Sequence, residues 1–175
     1  MTRTLTGKPS IDRPWMQYYP PQLMEGLSIP EDTVYEYLLK RCPGDDVAAI
    51  HYYGREITWK EVKEQVDKVA RSLRAIGFGE GDEIPMFLRA VPEFIYVLLA
   101  AEKIGASLLC RDNTIQENVD AVKKSGAKMI IAQDFLSHED LNKYRNEAGV
   151  RGAVLLSPIQ SANRSEVPDY CWNYL

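Results

Sequence analysis

Gly77, Gly79 and Gly81 lie in the stretch RAIGFGEGDE, residues 74–83. A G-x-G-x-G run lets backbone amides close around a phosphate, so these three residues raise the question of nucleotide chemistry. A dinucleotide-type phosphate loop needs a strand, then the glycines, then a helix whose N-terminus faces the anion. Here the order is reversed: Gly77 follows a helical pattern, and Asp82–Leu88 reads as a strand. Gly77 suits a left-handed helix cap, the GEGD segment suits a tight turn, and the Glu80 and Asp82 carboxylates repel phosphate. The run reads as a structural turn.

The remaining chemistry-bearing residues are scattered. The Gly7-Lys8 pair has Thr2 where a P-loop needs its first glycine and no strand before it, and no G-x-S-x-G elbow occurs. His51 falls in an expected strand, and His138 in a helix's first turn, where the dipole disfavours its cation; both read as ordinary surface or packing residues. Cys42, Cys110 and Cys171 are widely spaced and form no C-x-x-C pair for zinc or redox work. Glu25, Glu31, Asp32, Asp45 and Asp46 sit near turns, where caps and solubility account for them. Asp112 and Asn113, in RDNT, follow the carboxyl end of an expected strand, a usual ligand position in open α/β sheets; a loop and helix-cap reading is preferred. No catalytic, cofactor-binding or metal-ligating residue is assigned.

The elements that would position any site are better marked. A Thr or Ser stands three residues before an acid at Thr33/Glu36, Thr58/Glu61, Thr114/Glu117 and Ser137/Asp140. The first three match the capping box, and the fourth is a version with a shorter acid arm. They predict helices over 33–41, 59–76, 115–125 and 138–148. In the second, Trp59, Val62, Val66, Val69, Leu73 and Ile76 recur at three- and four-residue spacing and line one face, and Glu64 precedes Lys68 in the favourable order. A further helix opens at Pro92-Glu93 and is apolar almost all round through FIYVLLAA, so burial on most sides is expected; Gly105 ends it. Between the helices lie short apolar segments at 47–53, 84–88, 106–110, 128–132 and 151–156, and Tyr53-Gly54-Arg55 reads as a hairpin tip. Pro85 implies an edge strand, a bulge or a late strand start. This alternation implies an α/β layered fold with a mainly parallel sheet flanked by helices. The expected divisions are an extended lead over 1–30, an α/β subdomain over 31–156 and a polar and aromatic tail over 157–175. In the lead, Trp15, Met16, Tyr18 and Tyr19 are expected to pin the chain onto a surface.

Composition bounds the class. The chain has 175 residues, 45% hydrophobic and 26% charged, which suits an ordinary globular domain with a sizeable core. The net charge of −4 shows no basic stripe and argues against nucleic acid. The longest apolar run, Phe94–Ala101, is too short to span a bilayer, and no signal-type segment opens the chain. A reduced, cytoplasmic chain is expected, so the Asn163-Arg164-Ser165 sequon is read as chance.

The order of these segments resembles the N-terminal region of AMP-forming acyl-CoA synthetases, in the adenylate-forming superfamily. The similar pieces are Ile57-Thr58-Trp59 opening a long helix, Gly77 ending it and Gly81-Asp82 before a strand. Pro92-Glu93-Phe94 opening a buried helix, Ala100–Gly105 closing it, and Ser125-Gly126-Ala127-Lys128 before the next strand continue the series. The chain departs from the family at Arg89-Ala90, where an Asn is common, and at LLCRDNT, which replaces a proline-containing stretch. The resemblance implies ATP, Mg and CoA as cofactors of a complete ligase that activates a carboxylic acid as its acyl-adenylate and passes it to a thiol. It also implies a phosphate-holding Ser/Thr/Gly-rich loop beyond this region and a catalytic Lys in a separate domain. The chain reaches Leu175 before any such loop, and none of its six threonines lies beyond Thr114. The expectation is therefore a scaffold portion that is inactive alone and partners the rest of the ligase or another copy. A non-catalytic protein-binding module reusing the fold is the alternative.

Overall fold

The computed structural model describes residues 6–20, 30–88, 90–110, 114–134 and 136–157, in two compact units, Met1–Glu31 and Asp32–Leu175. In the first, Pro9–Asp12 forms a single helical turn, α1, followed by a 3-10 turn over Pro14–Tyr18. The Thr6 amide and hydroxyl both donate to Asp12 Oδ1 at 2.9 Å, which closes the turn. Trp15, Tyr18 and Tyr19 are 43%, 82% and 48% exposed. A short 3-10 turn splays its side chains around the axis and offers no continuous apolar stripe to bury.

The second unit runs α2 (Val34–Arg41), β1 (Ala48–Tyr52), β2 (Arg55–Thr58), α3 (Trp59–Ala75), β3 (Glu83–Phe87), α4 (Pro92–Ile104) and β4 (Ser107–Cys110). It continues with α5 (Ile115–Ser125), β5 (Met129–Gln133), α6 (His138–Ala148) and β6 (Gly152–Leu156). β1 and β2 form an antiparallel hairpin whose two-residue tip, Tyr53 and Gly54, holds both φ angles positive at 42° and 69°. That is the turn geometry that matches strand twist. The other four strands form a parallel sheet in the order β4-β3-β5-β6.

All four helix starts close as reciprocal capping boxes. The return bond from the acid to the cap amide is 3.0 Å at Glu36, 2.9 Å at Glu61 and 3.0 Å at Glu117. At Asp140 it stretches to 3.4 Å, because the shorter side chain falls one methylene short.

Two apolar layers flank the sheet. Ile84, Met86 and Ile131 of the strands pack with Val62, Val66 and Leu73 of α3 and with Val97, Leu99 and Ile104 of α4. Ile130 on the opposite face packs with Val119 and Val122 of α5 and Tyr144 of α6. The all-round apolar sequence of α4 is explained by its place against both α3 and the sheet, with Ala100 and Ala101 essentially inaccessible. α2 is tied to α4 by the Tyr35 amide, which donates to Glu102 Oε2 at 2.9 Å.

Pro85 corrects the edge-strand expectation. β3 is a central strand and Pro85 lies fully buried within it, opposite Leu109 of β4. Pairing of β3 with β5 starts only at Met86 and Phe87, so a missing donor at 85 interrupts no ladder bond on that side.

Candidate functional site

The glycine run lies at the amino edge of the sheet, after α3 and before β3. The Gly77 amide donates to Arg74 O at 3.1 Å and the Phe78 amide to Leu73 O at 3.0 Å. Gly77 has φ 101°, and buried Phe78 and Leu73 belong to one core cluster. These are the bonds and the apolar contact of a Schellman stop. The Gly79 amide donates to Asp82 Oδ2 at 2.7 Å, and the Gly81 amide to Gly105 O at 2.8 Å. The donors that a phosphate would need already serve a carboxylate and a helix-terminal carbonyl. The turn therefore does not fit a nucleotide phosphate.

The carboxyl edge is the more open end. β3 leads into α4 on one face of the sheet, whereas its neighbour β5 leads into α6 on the other. Adjacent strands whose connections leave on opposite faces define the topological switch point where open α/β sheets bind ligands. At that point β5 ends on Gln133, only 3% exposed, with Oε1 lacking a hydrogen-bond partner. A buried amide oxygen without a donor is rare and costly, about 1–3 kcal/mol. Sequence reasoning missed Gln133, which ends an apolar run with no motif around it. Ser157, just past β6, is buried at 7% exposure.

Two recesses flank this edge. Ile50, Tyr52, Leu88, Val91, Phe94 and Ile95 line most of an apolar groove of about 430 Å³ between the hairpin and the start of α4. Arg55, Glu61, Gln65, Glu93 and Tyr96 line most of a polar cleft of about 310 Å³. In that cleft Arg55 Nη2 lies 3.3 Å from Glu61 Oε1. Burial, aided by Glu93, pushes the Tyr96 hydroxyl up to about 12, so it remains a neutral donor.

The other candidates are not brought together. His51 is exposed on β1, 3.5 Å from Glu56 across the hairpin, and His138 is exposed in the first turn of α6. Asp32 pairs with Lys40 and Asp45 with Lys63 at the surface. Thr114 caps α5, while Arg111, Asp112 and Asn113 lie outside the described residues, as do Glu25, Cys171 and the sequon. Cys42 is half-buried and Cys110 exposed, both as free thiols. Among the described residues no group of three or more His, Cys, Asp or Glu converges to hold a metal, and no helix is long and apolar enough to cross a membrane.

A family model described as AMP-binding enzyme matches residues 38–169. The chain belongs to the AMP-binding enzyme family. Acetyl-coenzyme A synthetase from Streptomyces avermitilis is 32% identical over 96 residues, which are 51% of this chain and 15% of that protein. 4-coumarate:CoA ligase 1 from Petunia hybrida is 28% identical over 122 residues, 64% of this chain and 22% of that protein. Apo MatB from Rhodopseudomonas palustris shares the fold with a TM-score of 0.61 at 19% identity, over 71% of this chain and 25% of that one. The parallel sheet flanked by helices is the part of the fold that the two share. Both relatives are named for coenzyme A, and this chain spans less than a quarter of the length of each.

Proposed function

We propose that this chain is the N-terminal scaffold portion of an ATP-dependent, AMP-forming acid–thiol ligase. The ligase activates a carboxylic acid as its acyl-adenylate and transfers the acyl group to a thiol such as CoA. The chain alone is inactive. The observation that carries this reading is a family match over residues 38–169 on a subdomain whose glycine turn is filled by its own acceptors.

Both half-reactions develop negative charge, on phosphate oxygens in the first and on an acyl oxyanion in the second, and need preorganised donors there. The Gly79 and Gly81 amides are committed at 2.7 Å and 2.8 Å, and Asp82 occupies the place of an anion. ATP, Mg and CoA are therefore assigned to the complete ligase, and no step is routed through these residues. What the scaffold supplies is a rigid sheet end. The apolar groove beside Leu88 and Phe94 is suited to receive further ligase polypeptide.

The test is acid-dependent ATP–pyrophosphate exchange with Mg, across short-chain, branched and aromatic acids. The purified chain is expected to give no exchange above the protein-free blank. A chimera that places residues 38–156 in the matching part of a related acetyl-CoA synthetase is expected to regain it. Exchange by the chain alone refutes the inactive-scaffold reading. A chimera that folds, binds ATP and stays inert refutes the ligase reading and favours a non-catalytic module.

A further inference from the structure

Among the described residues β6 is an edge strand, paired only with β5. Leu155 stands in register with Ala132 of β5, and Ala153 with Ile130, so both project to the face that α5 and α6 cover. Ala132 and Ile130 are fully buried, yet Leu155 is 40% exposed. It borders a cleft of about 280 Å³ between α6 and β6, whose apolar lining includes Leu141, Tyr144 and Ala153.

The charge of this cleft is one-sided. Arg145 and Arg151, both exposed, line it, and no carboxylate does. Among the described residues neither guanidinium forms an ion pair. The acids of α6 are engaged elsewhere: Asp140 closes the helix cap, Glu139 pairs with Lys143 at 3.3 Å, and Glu147 accepts from Gln116 Nε2 at 3.0 Å. Arg145 lies in the last turn of α6, where the helix dipole favours a cation. Arg151 lies beyond the helix and has no such reason to be there. Its backbone is fixed, since the Arg151 amide donates to Lys128 O at 2.7 Å.

We propose that this cleft is a binding site for a small amphiphilic anion, an organic carboxylate with a hydrocarbon body. The body lies on Leu155 and Ala153, and the head pairs with Arg145 and Arg151. A guanidinium can hold a carboxylate through two parallel N–H···O bonds, so two unpaired guanidiniums beside an apolar surface suit such a ligand. The volume is at the small end of ligand pockets, which suits a molecule of about ten non-hydrogen atoms. The two recesses at the carboxyl edge lack this combination. Arg55 is already paired with Glu61 in one, and no Arg or Lys lines the other. Recognition here needs neither ATP nor a complete ligase, so its failure would leave the ligase reading untouched.

Octanoate, titrated into the purified chain by calorimetry and located by amide NMR shifts, tests this. Saturable binding is expected with a Kd of about 1 mM, and with shifts concentrated in residues 141–155. Octanol and octylamine share the hydrocarbon body, and inorganic phosphate shares only the charge; each is expected to bind roughly tenfold more weakly or worse. The double variant R145Q/R151Q is expected to weaken octanoate roughly tenfold or more, with an unchanged urea midpoint because both side chains are exposed. Leu155→Asn, which alters the apolar surface and leaves the charges, is expected to weaken it as well. No saturable binding, or full affinity in R145Q/R151Q, overturns the proposal. Equal binding of octanol shows an apolar surface alone, and equal binding of phosphate an anion patch alone; either overturns it, as do shifts centred on Leu88 and Phe94.

Discussion

Replacing Gly105 by Ala isolates what the amino-edge junction contributes. Gly105 closes α4 at φ 79°, ψ 18°, a left-handed conformation that costs an L-residue about 1–2 kcal/mol. Its carbonyl accepts the Gly81 amide at 2.8 Å, which brings the glycine turn against the helix end. A Cβ at 105 meets Glu80 Cγ at 3.0 Å, Cβ at 3.3 Å and Cα at 3.4 Å. The Cγ can swing aside, but the other two atoms move only with the turn, adding about 1 kcal/mol of overpacking. Gly126 closes α5 at φ 72° with nothing within 4 Å of its Cβ position, so it serves as the control. The expected losses are about 2–3 kcal/mol for Gly105→Ala and about 1–2 kcal/mol for Gly126→Ala, from the conformational and packing terms together. In urea, with slopes of about 1–3 kcal/mol/M, Gly105→Ala is expected to lower the midpoint by roughly 1 M. Gly105→Asn tolerates the left-handed backbone better but retains the clash, and should fall between the two. Equal losses at 105 and 126 would refute the steric part of the reasoning.

Four further outcomes follow from the caps and the buried hydroxyl. Thr58→Ala is expected to cost about 1 kcal/mol in urea unfolding; a loss within error would show that the box at α3 is redundant. The Glu61 carboxyl is held below its usual range chiefly by the Thr58 amide, with the Arg55 guanidinium assisting. Its folded value lies below the unfolded one, so its contribution is present above about pH 4.5 and fades as the pH falls further. Glu61→Gln is therefore expected to flatten stability against pH on the acid side, and an unchanged profile counts against the assignment. Tyr144 OH is buried without a hydrogen-bond partner, and its ring stacks on Phe87 at 5.7 Å. Tyr144→Phe is expected to stabilise by about 1 kcal/mol, and a clear loss would reveal a partner for the hydroxyl. Burial, with Asp140 nearby, pushes Tyr144 up to about 12, so the native state keeps a proton that the unfolded chain releases near pH 10. Stability should therefore fall between pH 10 and 12, and Tyr144→Phe should reduce that slope.

What could be read from the sequence was local. Each capping box occupies four consecutive residues, and all four helix starts fell within one residue of expectation. The glycine stops at 77 and 105 were equally legible, because a left-handed cap selects its residue with no help from the rest of the fold. Pro85 left an edge, a bulge and a late strand start open because strand position depends on which segments pair, and the proline's tolerance in the centre comes from where the β5 ladder begins. Gln133 was invisible for the same reason. Its importance rests on strand order, on the opposite faces taken by α4 and α6, and on an unmet hydrogen bond, none of which leaves a pattern in neighbouring residues.

The G-x-G-x-G run shows how a motif's surroundings decide its chemistry. Gly81 donates to the carbonyl that ends α4, and the Ser107 amide donates to Asp82 O at 2.9 Å. Together these bonds fix the start of β3 against the start of β4, in the register that pairs Glu83 with Ser107 and runs on to Met86 with Cys110. A slip of one residue would turn Ile84 and Met86 from the α3/α4 layer to the opposite face, so that register is essential to the core. It also sets where β3 ends relative to β5, hence the position of Leu88 and Gln133 at the switch point. A change at Gly81 or Gly105 should therefore disturb the carboxyl edge from the far end of the sheet, with no ligand contact of its own. In a complete ligase such a change would appear as impaired assembly or stability of the site, with nucleotide affinity falling only in proportion to the folded fraction.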